Sequence, residues 1–298
     1  MSHLLQKNQS MRLPSFLIIG AAKSGTTTLY HYLSQHPNIY MPYRKEPAFF
    51  AVDEKYAQGL EWYASLFNDA KPDQICGEAS TDYTKFPQYP ETAARIAQTL
   101  PEVKMIYIMR NPVDRAYAYY MHWGRQLGYK ETFEERMKQT NIYLDASYYI
   151  MQIEQYLQFF PKESFRFLLM DDLIQQPAKS LQEICQFIGV SHDIDLMSNM
   201  GIVANSGKKI LQYKIRNQIT APLRKIPGFT SLSSLVPQQG REWIYKQLKN
   251  FSYGKNIEEF YTPKPMLPET RQYLLEKFKE PNQKLAEFIN RDLSHWSY

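Results

Sequence analysis

The residues with the clearest chemical character lie in the segment Ser15–Leu33, which reads SFLIIGAAKSGTTTLYHYL. A short apolar run ends at Ile19, a loop of small residues spans Gly20–Gly25, and a helix start rich in hydroxyl groups follows. Because the backbone N–H groups of such a loop and the positive end of a helix both attract anions, this order is typical of a phosphate cradle. The residues available to a phosphate are Lys23, Ser24, Gly25, Thr26, Thr27 and Thr28.

The loop departs from the nucleotide triphosphatase pattern at one informative position. That pattern reads G-x-x-x-x-G-K-[ST], and Gly20, Gly25 and Thr27 keep its glycines and its hydroxyl. Thr26 stands where the lysine is expected, and the lysine lies inside the loop as Lys23. The loop still suits a phosphate, but its cation would approach from another side. A glycine- and serine-rich turn with a solvated lysine would show the same letters.

Glu46 is a second candidate, in the segment KEPAFF at residues 45–50. A residue before proline is held out of helical geometry, so Glu46 is expected in a turn or an extended segment. Partial burial beside Phe49 and Phe50 would raise its proton affinity, which suits a general base. The alternative is an ordinary surface ion pair between Lys45 and Glu46.

Arg110 is the third candidate, because it follows the apolar run Val103–Met109 at the end of a predicted buried strand. Ligands of open α/β sheets bind at the carboxyl ends of strands. Many P-loop nucleotidases place a magnesium-binding aspartate at such a position, whereas an arginine suits a second phosphate held without a metal. The alternative is a structural salt bridge, for example with Asp114.

Strands and helices alternate along the rest of the chain. Apolar runs predict further strands at 39–41, 74–78 and 165–170. Helical spacing and stop signals predict helices at 59–68, 89–100, 145–160, 177–188 and 268–289, and another that begins at Pro112. This alternation predicts an α/β fold with a P-loop-like central parallel sheet flanked by helices on both faces.

Composition narrows the class of protein further. The 298 residues suit one large α/β domain or two small ones, and 44% hydrophobic residues exclude a disordered chain. A net charge of +5 fits an anionic ligand but is too small and too dispersed to indicate nucleic acid. The two cysteines, Cys76 and Cys185, form neither a metal motif nor a disulfide framework and are expected as buried thiols.

Two further expectations concern location and organisation. No apolar run approaches the roughly 18 residues of a transmembrane helix, and the first 14 residues are polar and lack the apolar core of a signal peptide. We therefore expect a cytoplasmic protein with a flexible tail over residues 1–14 and a single domain over residues 15–298.

Taken together, these segments resemble the sulfotransferases that use 3′-phosphoadenosine 5′-phosphosulfate (PAPS), most of all the heparan-sulfate-type and bacterial carbohydrate sulfotransferases. Residues 20–27 resemble the 5′-phosphosulfate loop of that family, residues 45–50 its base-bearing segment, and residues 108–117 its 3′-phosphate segment. The block 171–190 and the ending 268–296 are also similar, so the resemblance covers nearly the whole chain.

The resemblance implies in-line transfer of a sulfuryl group from PAPS to a hydroxyl acceptor of the carbohydrate class, without a metal. It implies that Lys23 and the loop from Ser24 to Thr28 stabilise the departing phosphate, that Glu46 takes the acceptor proton and that Arg110 holds the 3′-phosphate. Asn205 and Lys208 match the nucleotide-closing loop only loosely. PAPS, its product PAP and the acceptor are the implied partners, and neither nucleic acid nor a transmembrane segment is expected.

One departure from the family leaves alternatives open. The family usually has a serine eight residues after the arginine, whereas this chain has Ala118. Nucleotide binding would be weaker unless Tyr117, Tyr119 or a loop lysine replaces that hydroxyl. A P-loop kinase or nucleotidase would instead bind ATP with Mg²⁺, and a degenerate sulfotransferase fold would serve only as a glycan-binding module.

Overall fold

Five parallel strands form a sheet within the residues that the computed structural model describes, 11–43, 45–191 and 264–297. Across the sheet their order is β2-β3-β1-β4-β5. Their bounds are β1 Phe16–Gly20, β2 Ile39–Tyr40, β3 Ile75–Ala79, β4 Lys104–Met109 and β5 Phe165–Leu169. The strand that leads into the glycine loop therefore lies in the middle of the sheet, between β3 and β4.

Eleven α-helices accompany this sheet in the described part of the chain. They are α1 Thr26–Leu33, α2 Asp53–Tyr56, α3 Gly59–Ser65, α4 Thr92–Thr99, α5 Pro112–Leu127, α6 Phe133–Gln139, α7 Ile142–Asp145, α8 Tyr149–Leu157, α9 Met170–Gln175, α10 Pro177–Ile188 and α11 Pro268–Ile289. Short 3₁₀ turns cover Thr81–Thr84, Lys162–Ser164 and Ser294–Ser297. The predicted fold class, a P-loop-like parallel sheet flanked by helices, is confirmed.

Alternating side chains of β1 pack into two hydrophobic clusters, one on each face of the sheet. Leu17 and Ile19 pack with residues of α3, α8 and α11. Phe16 and Ile18 pack with residues of α1 and α10. All four side chains are at most 1% exposed, because successive residues of a strand point to opposite faces and both faces are covered.

The helix predicted at 145–160 differs most from the structure. α7 ends at Asp145, where the helix was expected to begin, and α8 begins only at Tyr149. Ser147 lies buried between the two helices, and its hydroxyl donates to the Pro112 carbonyl at 3.1 Å. The break follows from this contact with the start of α5, which no local pattern predicts.

The described elements all belong to one compact unit, Met1–Gly201 with Pro263–Tyr298, while the second unit, Ile202–Thr262, lies outside the described residues. Within the predicted tail, Arg12 donates a hydrogen bond to the carbonyl of Ala70 at 2.9 Å. The division into a tail over 1–14 and a single domain over 15–298 stays a prediction. Both cysteines are buried free thiols, as expected.

Candidate active site

The glycine loop joins the buried end of β1 to the first turn of α1. Ala21 N donates to the Ile108 carbonyl of β4 at 2.8 Å, which fixes the loop against the neighbouring strand. Gly25 precedes the helix with φ +96°, a conformation that favours glycine. The first turn of α1 contains no acidic residue, and the first N–H groups of a helix have no intrahelical partner. The loop therefore has backbone donors that an anion could use, and its role as a phosphate cradle stays a prediction.

Ser24 adds a hydroxyl to this loop. The Ser24 side chain is 0% exposed, and its Oγ makes no hydrogen bond of good geometry among the described residues, although it lies close enough to Tyr149 to influence the pKa of that phenol. A buried polar atom without a partner is costly, and in native proteins such an atom usually has a ligand or water as its partner. Thr26 is also buried, whereas Thr27 and Thr28 are half-buried.

Several charged side chains act on Lys23. Burial lowers the pKa of the Lys23 ammonium, and the charges of Arg125, Lys45 and Arg110 lower it further, while Glu46 acts in the opposite sense. The structure thus brings together the three sequence candidates Lys23, Glu46 and Arg110 and adds two cations that sequence reasoning did not select. Cations that repel one another are stabilised when a multivalent anion binds between them.

Glu46 lies at this cluster with its side chain 39% exposed. Lys45 Nζ lies 2.6 Å from Oε1, and Thr81 Oγ1 donates to Oε2 at 3.0 Å. Burial raises the pKa of Glu46, but the charge and hydrogen bond of Lys45, the hydrogen bond of Thr81 and the charge of Lys85 outweigh it, so that the pKa is lowered overall. The predicted rise in proton affinity is wrong, because the Lys45–Glu46 ion pair that was its alternative is present.

The segment that carries Glu46 is bound to the end of β3. Glu46 N donates to the Ala79 carbonyl at 3.0 Å, and Ala48 N donates to Ser80 Oγ at 2.9 Å. The rings of Phe49 and Phe50 are buried in the core, where they anchor the segment. Ala79 and Ser80 thus hold in place a segment that lies more than 30 residues before them in the chain.

Arg110 follows β4 and is held through its backbone. Arg110 N donates to Tyr149 Oη at 3.2 Å, and the same hydroxyl donates to the Arg110 carbonyl at 2.7 Å. The alternative salt bridge to Asp114 does not form, because Asp114 pairs with Arg271 at 2.8 Å. Within the described residues the Arg110 guanidinium has no carboxylate at salt-bridge distance, which leaves it available for an anion.

Asn111 begins α5 immediately after Arg110. Its side-chain oxygen accepts hydrogen bonds from Val113 N at 3.0 Å and Asp114 N at 3.4 Å. Its Nδ2 donates to the Trp296 carbonyl at 3.1 Å. This side chain therefore caps the helix and ties the site to the end of the chain.

Two buried charged residues behind the site were not selected from the sequence. Arg115 is 0% exposed, and it donates to Ser147 Oγ at 2.6 Å and to the Ala22 carbonyl of the loop at 3.5 Å. Glu78 is 1% exposed and accepts a hydrogen bond from Ser80. In the sequence, Glu78 could have been noticed as a carboxylate near the end of a predicted strand. No local pattern distinguishes Arg115 from other arginines.

The structure says less about the remaining residues that the sequence singled out. Asn205 and Lys208 lie outside the described residues. Ala118 lies half-buried on α5, and the adjacent Tyr117 hydroxyl donates to the Lys264 carbonyl at 3.1 Å. That Tyr117, Tyr119 or a loop lysine replaces the hydroxyl of the family's serine stays a prediction.

None of the helices in the described residues is long and apolar enough to cross a membrane.

Several known proteins similar to this chain are sulfotransferases. The sulfotransferase domain family matches residues 13–221. Heparan sulfate glucosamine 3-O-sulfotransferase 5 of Mus musculus is 31% identical over 216 residues, which cover 68% of this chain and 61% of that protein. Bifunctional heparan sulfate N-deacetylase/N-sulfotransferase 2 of Homo sapiens is 29% identical over 203 residues, which cover 60% of this chain but only 22% of that protein.

A solved structure extends this similarity over most of the chain. The crystal structure of a sulfotransferase from Alicyclobacillus acidocaldarius aligns with 96% of this chain and 99% of that chain. The TM-score is 0.65 and the sequence identity is 27%.

Proposed function

The chain belongs to the sulfotransferase domain family, and we propose that it transfers a sulfuryl group from PAPS to a hydroxyl group of a carbohydrate acceptor. The observation that carries the proposal is that the charges of Arg110, Arg125 and Glu46 all act on Lys23 in the glycine loop. Such a cluster suits a nucleotide with two anionic ends. The carbohydrate class rests on relatives whose names specify heparan sulfate.

The loop fits the 5′ end of the nucleotide. Ser24 offers a buried hydroxyl that makes no hydrogen bond of good geometry among the described residues, and the start of α1 offers backbone donors. Lys23 neutralises the negative charge that builds on the bridging oxygen as the bond between sulfur and that oxygen breaks. Arg110, which follows β4 at a position where P-loop nucleotidases often have a carboxylate, suits the 3′-phosphate through charge-assisted hydrogen bonds.

Glu46 fits the part of a general base. Its lowered pKa keeps it ionised near neutral pH, so it can accept the proton of the acceptor hydroxyl while that oxygen forms its bond to sulfur. The products are the sulfated acceptor, PAP and a protonated Glu46, which then returns its proton to solvent. Lys45 and Thr81 hold the carboxylate oxygens in place.

Calorimetric titration with PAP in the absence of metal tests the nucleotide, with ATP and Mg²⁺ as the comparison. We expect PAP to bind and ATP not to compete with it, since a P-loop kinase would show the opposite preference. Radiolabelled transfer from PAPS to heparan sulfate then tests the reaction. PAP binding without transfer to any of several glycans would favour the glycan-binding module, and no PAP binding would overturn the proposal.

Replacement of Lys23 by alanine tests the loop. Because Lys23 is the cation proposed to neutralise the leaving phosphate, Lys23→Ala should lower kcat by about a hundredfold or more. The circular dichroism spectrum should stay unchanged. The matched control is Lys71→Ala, which removes an exposed lysine outside the site. Full turnover in Lys23→Ala would show that the role of Lys23 is wrong.

A further inference from the structure

A buried carboxyl group lies behind the segment that carries Glu46. Glu78 is 1% exposed in β3, where it is in register with Leu17 of β1. Central strands of parallel sheets are normally apolar along their whole length. Burying a carboxyl group in such a place costs free energy unless hydrogen bonds compensate for the lost contact with water.

The contacts of Glu78 lead towards Glu46 in two steps. Ser80 Oγ donates to Glu78 Oε2 at 2.9 Å. The same Ser80 oxygen accepts the hydrogen bond of Ala48 N at 2.9 Å. Tyr63 Oη donates to the other oxygen, Glu78 Oε1, at 3.3 Å. The Ser80 hydroxyl therefore connects the buried carboxyl to the backbone two residues beyond Glu46.

That backbone is strained and needs support. Glu46 has φ +61° and Ala48 has φ +54°, values that residues other than glycine rarely adopt. Such residues persist only where the surrounding structure holds them, and they concentrate at functional sites. The hydrogen bonds from Glu46 N to Ala79 and from Ala48 N to Ser80 are the direct supports.

We propose that Glu78 is a positioning residue for Glu46, which acts through the Ser80 hydroxyl to hold the 46–48 segment in the conformation that presents the Glu46 carboxylate to the acceptor. The inference rests on the proposed role of Glu46 as the base. Glu78 is not itself the base, because a side chain that is 1% exposed does not reach an acceptor.

Ionisation of Glu78 controls this link. An ionised carboxylate only accepts hydrogen bonds, so it fixes the Ser80 proton towards itself and leaves the Ser80 lone pairs for Ala48 N. A protonated Glu78 can reverse that polarity. The negative charge of ionised Glu78 also acts on Glu46. This charge favours the protonated form of Glu46, which develops in the transition state as the base takes up the acceptor proton.

Glu78 is the group beside this link that titrates near neutral pH. Burial raises its pKa to about 7, with a smaller rise from the charge of Glu46 and with hydrogen bonds acting in the opposite sense. The other titratable groups that face it are Tyr63 of α3, Tyr83 of the 81–84 turn and Tyr156 of α8. Burial raises the pKa of each of these tyrosines far above neutrality.

The test compares wild type with Glu78→Gln across pH in sulfuryl transfer from PAPS to heparan sulfate. For wild type we expect kcat to rise with pH along a limb of apparent pKa about 7, which Glu46 does not cause because its own pKa is lowered. Glu78→Gln should lose this limb and fall in kcat by about tenfold to a hundredfold, the scale of a misplaced catalytic group. The affinity for PAP should stay unchanged.

Two further variants separate positioning from folding. Tyr63→Phe removes one hydrogen bond that lowers the pKa of Glu78 but leaves the Ser80 link intact, so it should move the limb to higher pH instead of abolishing it. Ser80→Ala removes the hydroxyl that joins Glu78 to Ala48, so it should lower kcat and abolish the limb as Glu78→Gln does. Glu54→Gln, a change at an exposed carboxylate, is the matched control and should leave the profile as in wild type. If Glu78→Gln fails to fold, the direction of the shift in Tyr63→Phe still decides the proposal.

The outcomes distinguish this inference from the proposed function. Wild type that neither binds PAP nor transfers sulfate overturns the function. If wild type is active and the rise in kcat near pH 7 persists in Glu78→Gln, only the positioning role of Glu78 is overturned. An infrared band of a protonated carboxyl that titrates near the pKa of about 7 in wild type and is missing in Glu78→Gln supports it without any acceptor. A spectrum without that band contradicts it.

Discussion

Lys23 and Glu46 share a backbone feature that neither residue type favours. Their φ angles are +71° and +61°, in the left-handed region where residues other than glycine are uncommon. The loop around Lys23 is tied to β4 through Ala21, and the segment around Glu46 is tied to β3 through Ala79. Both strained residues therefore project from short segments that the sheet holds in place, which is a common arrangement at reactive sites.

Replacement of Glu46 by glutamine separates proton transfer from binding. Glutamine keeps the shape of the side chain but cannot take a proton, so kcat should fall by about a hundredfold to ten-thousandfold. The dissociation constant of PAPS should change little, because the proposed nucleotide contacts lie on other residues. Single-turnover kinetics combined with equilibrium binding measure the two quantities. An equal loss in both would assign Glu46 a structural role.

Replacement of Arg110 by alanine tests the 3′-phosphate. PAP and adenosine 5′-monophosphate differ only in that phosphate, so the second nucleotide serves as the control within the same titration. Wild type should prefer PAP, and Arg110→Ala should weaken PAP binding by about tenfold to a hundredfold while it leaves the monophosphate unaffected, the scale of hydrogen bonds to a charged group. An equal loss for both nucleotides would place Arg110 elsewhere on the ligand.

Residue types predicted part of this site but not its electrostatics. Lys23 and Arg110 stand out because they follow apolar strands in loops that suit anions. The pKa of Glu46 was predicted in the wrong direction, because it depends on Thr81, 35 residues away in sequence, as well as on Lys45 next to it. Arg125 had no local signal, since an arginine near the end of a helix is ordinary.

At the scale of single elements, the helix ends that are marked by a proline or a glycine were predicted best. α10 runs from Pro177 to Ile188 and α11 from Pro268 to Ile289, as expected from proline at the start of each helix and from Gly189 after the first. The start of α5 at Pro112 was also predicted. The break between α7 and α8 was not, because it depends on a tertiary contact of Ser147.

The cap of α5 should matter for ligand binding as well as for stability. Asn111→Ala removes the hydrogen bonds to the first turn and to the Trp296 carbonyl, and it should cost about 1–2 kcal/mol of unfolding free energy. Because Asn111 adjoins Arg110, PAP affinity should fall as well. The matched control is Thr132→Ala, which removes the cap of α6. That variant should lose stability and keep PAP affinity, and a loss of affinity in both variants would contradict the coupling.

At the scale of the whole molecule, the strand order brings the candidate segments together. β1 lies between β3 and β4, so the glycine loop, residues 80–81 and Arg110 follow three neighbouring parallel strands. The sequence predicted the strands and their parallel class from alternation, but strand order is a property of long-range pairing. Glu78 shows the consequence, because its burial and its partners Tyr63 and Ser80 come from different elements.

Glu78 should also link the stability of the fold to pH. Its pKa is about 7 in the folded protein against an ordinary 4.5, so between these values the native state binds more protons than the unfolded chain. The free energy of unfolding therefore falls as pH rises through this window, and the loss is complete above it. At 1.36 kcal/mol for each pKa unit, the penalty is about 3 kcal/mol. Glutamine cannot ionise and escapes this penalty.

Urea denaturation of wild type and Glu78→Gln at about pH 5 and about pH 8 measures the effect. Other carboxylates titrate in both proteins and cancel in the difference, so Glu78→Gln should gain stability relative to wild type between the two pH values. The gain should approach about 3 kcal/mol, with unchanged m-values. Glu54→Gln should show the same difference from wild type at both pH values, because its side chain is exposed. A pH-independent difference for Glu78→Gln would mean that Glu78 is ionised throughout this range, and that the protein tolerates a buried negative charge behind its base.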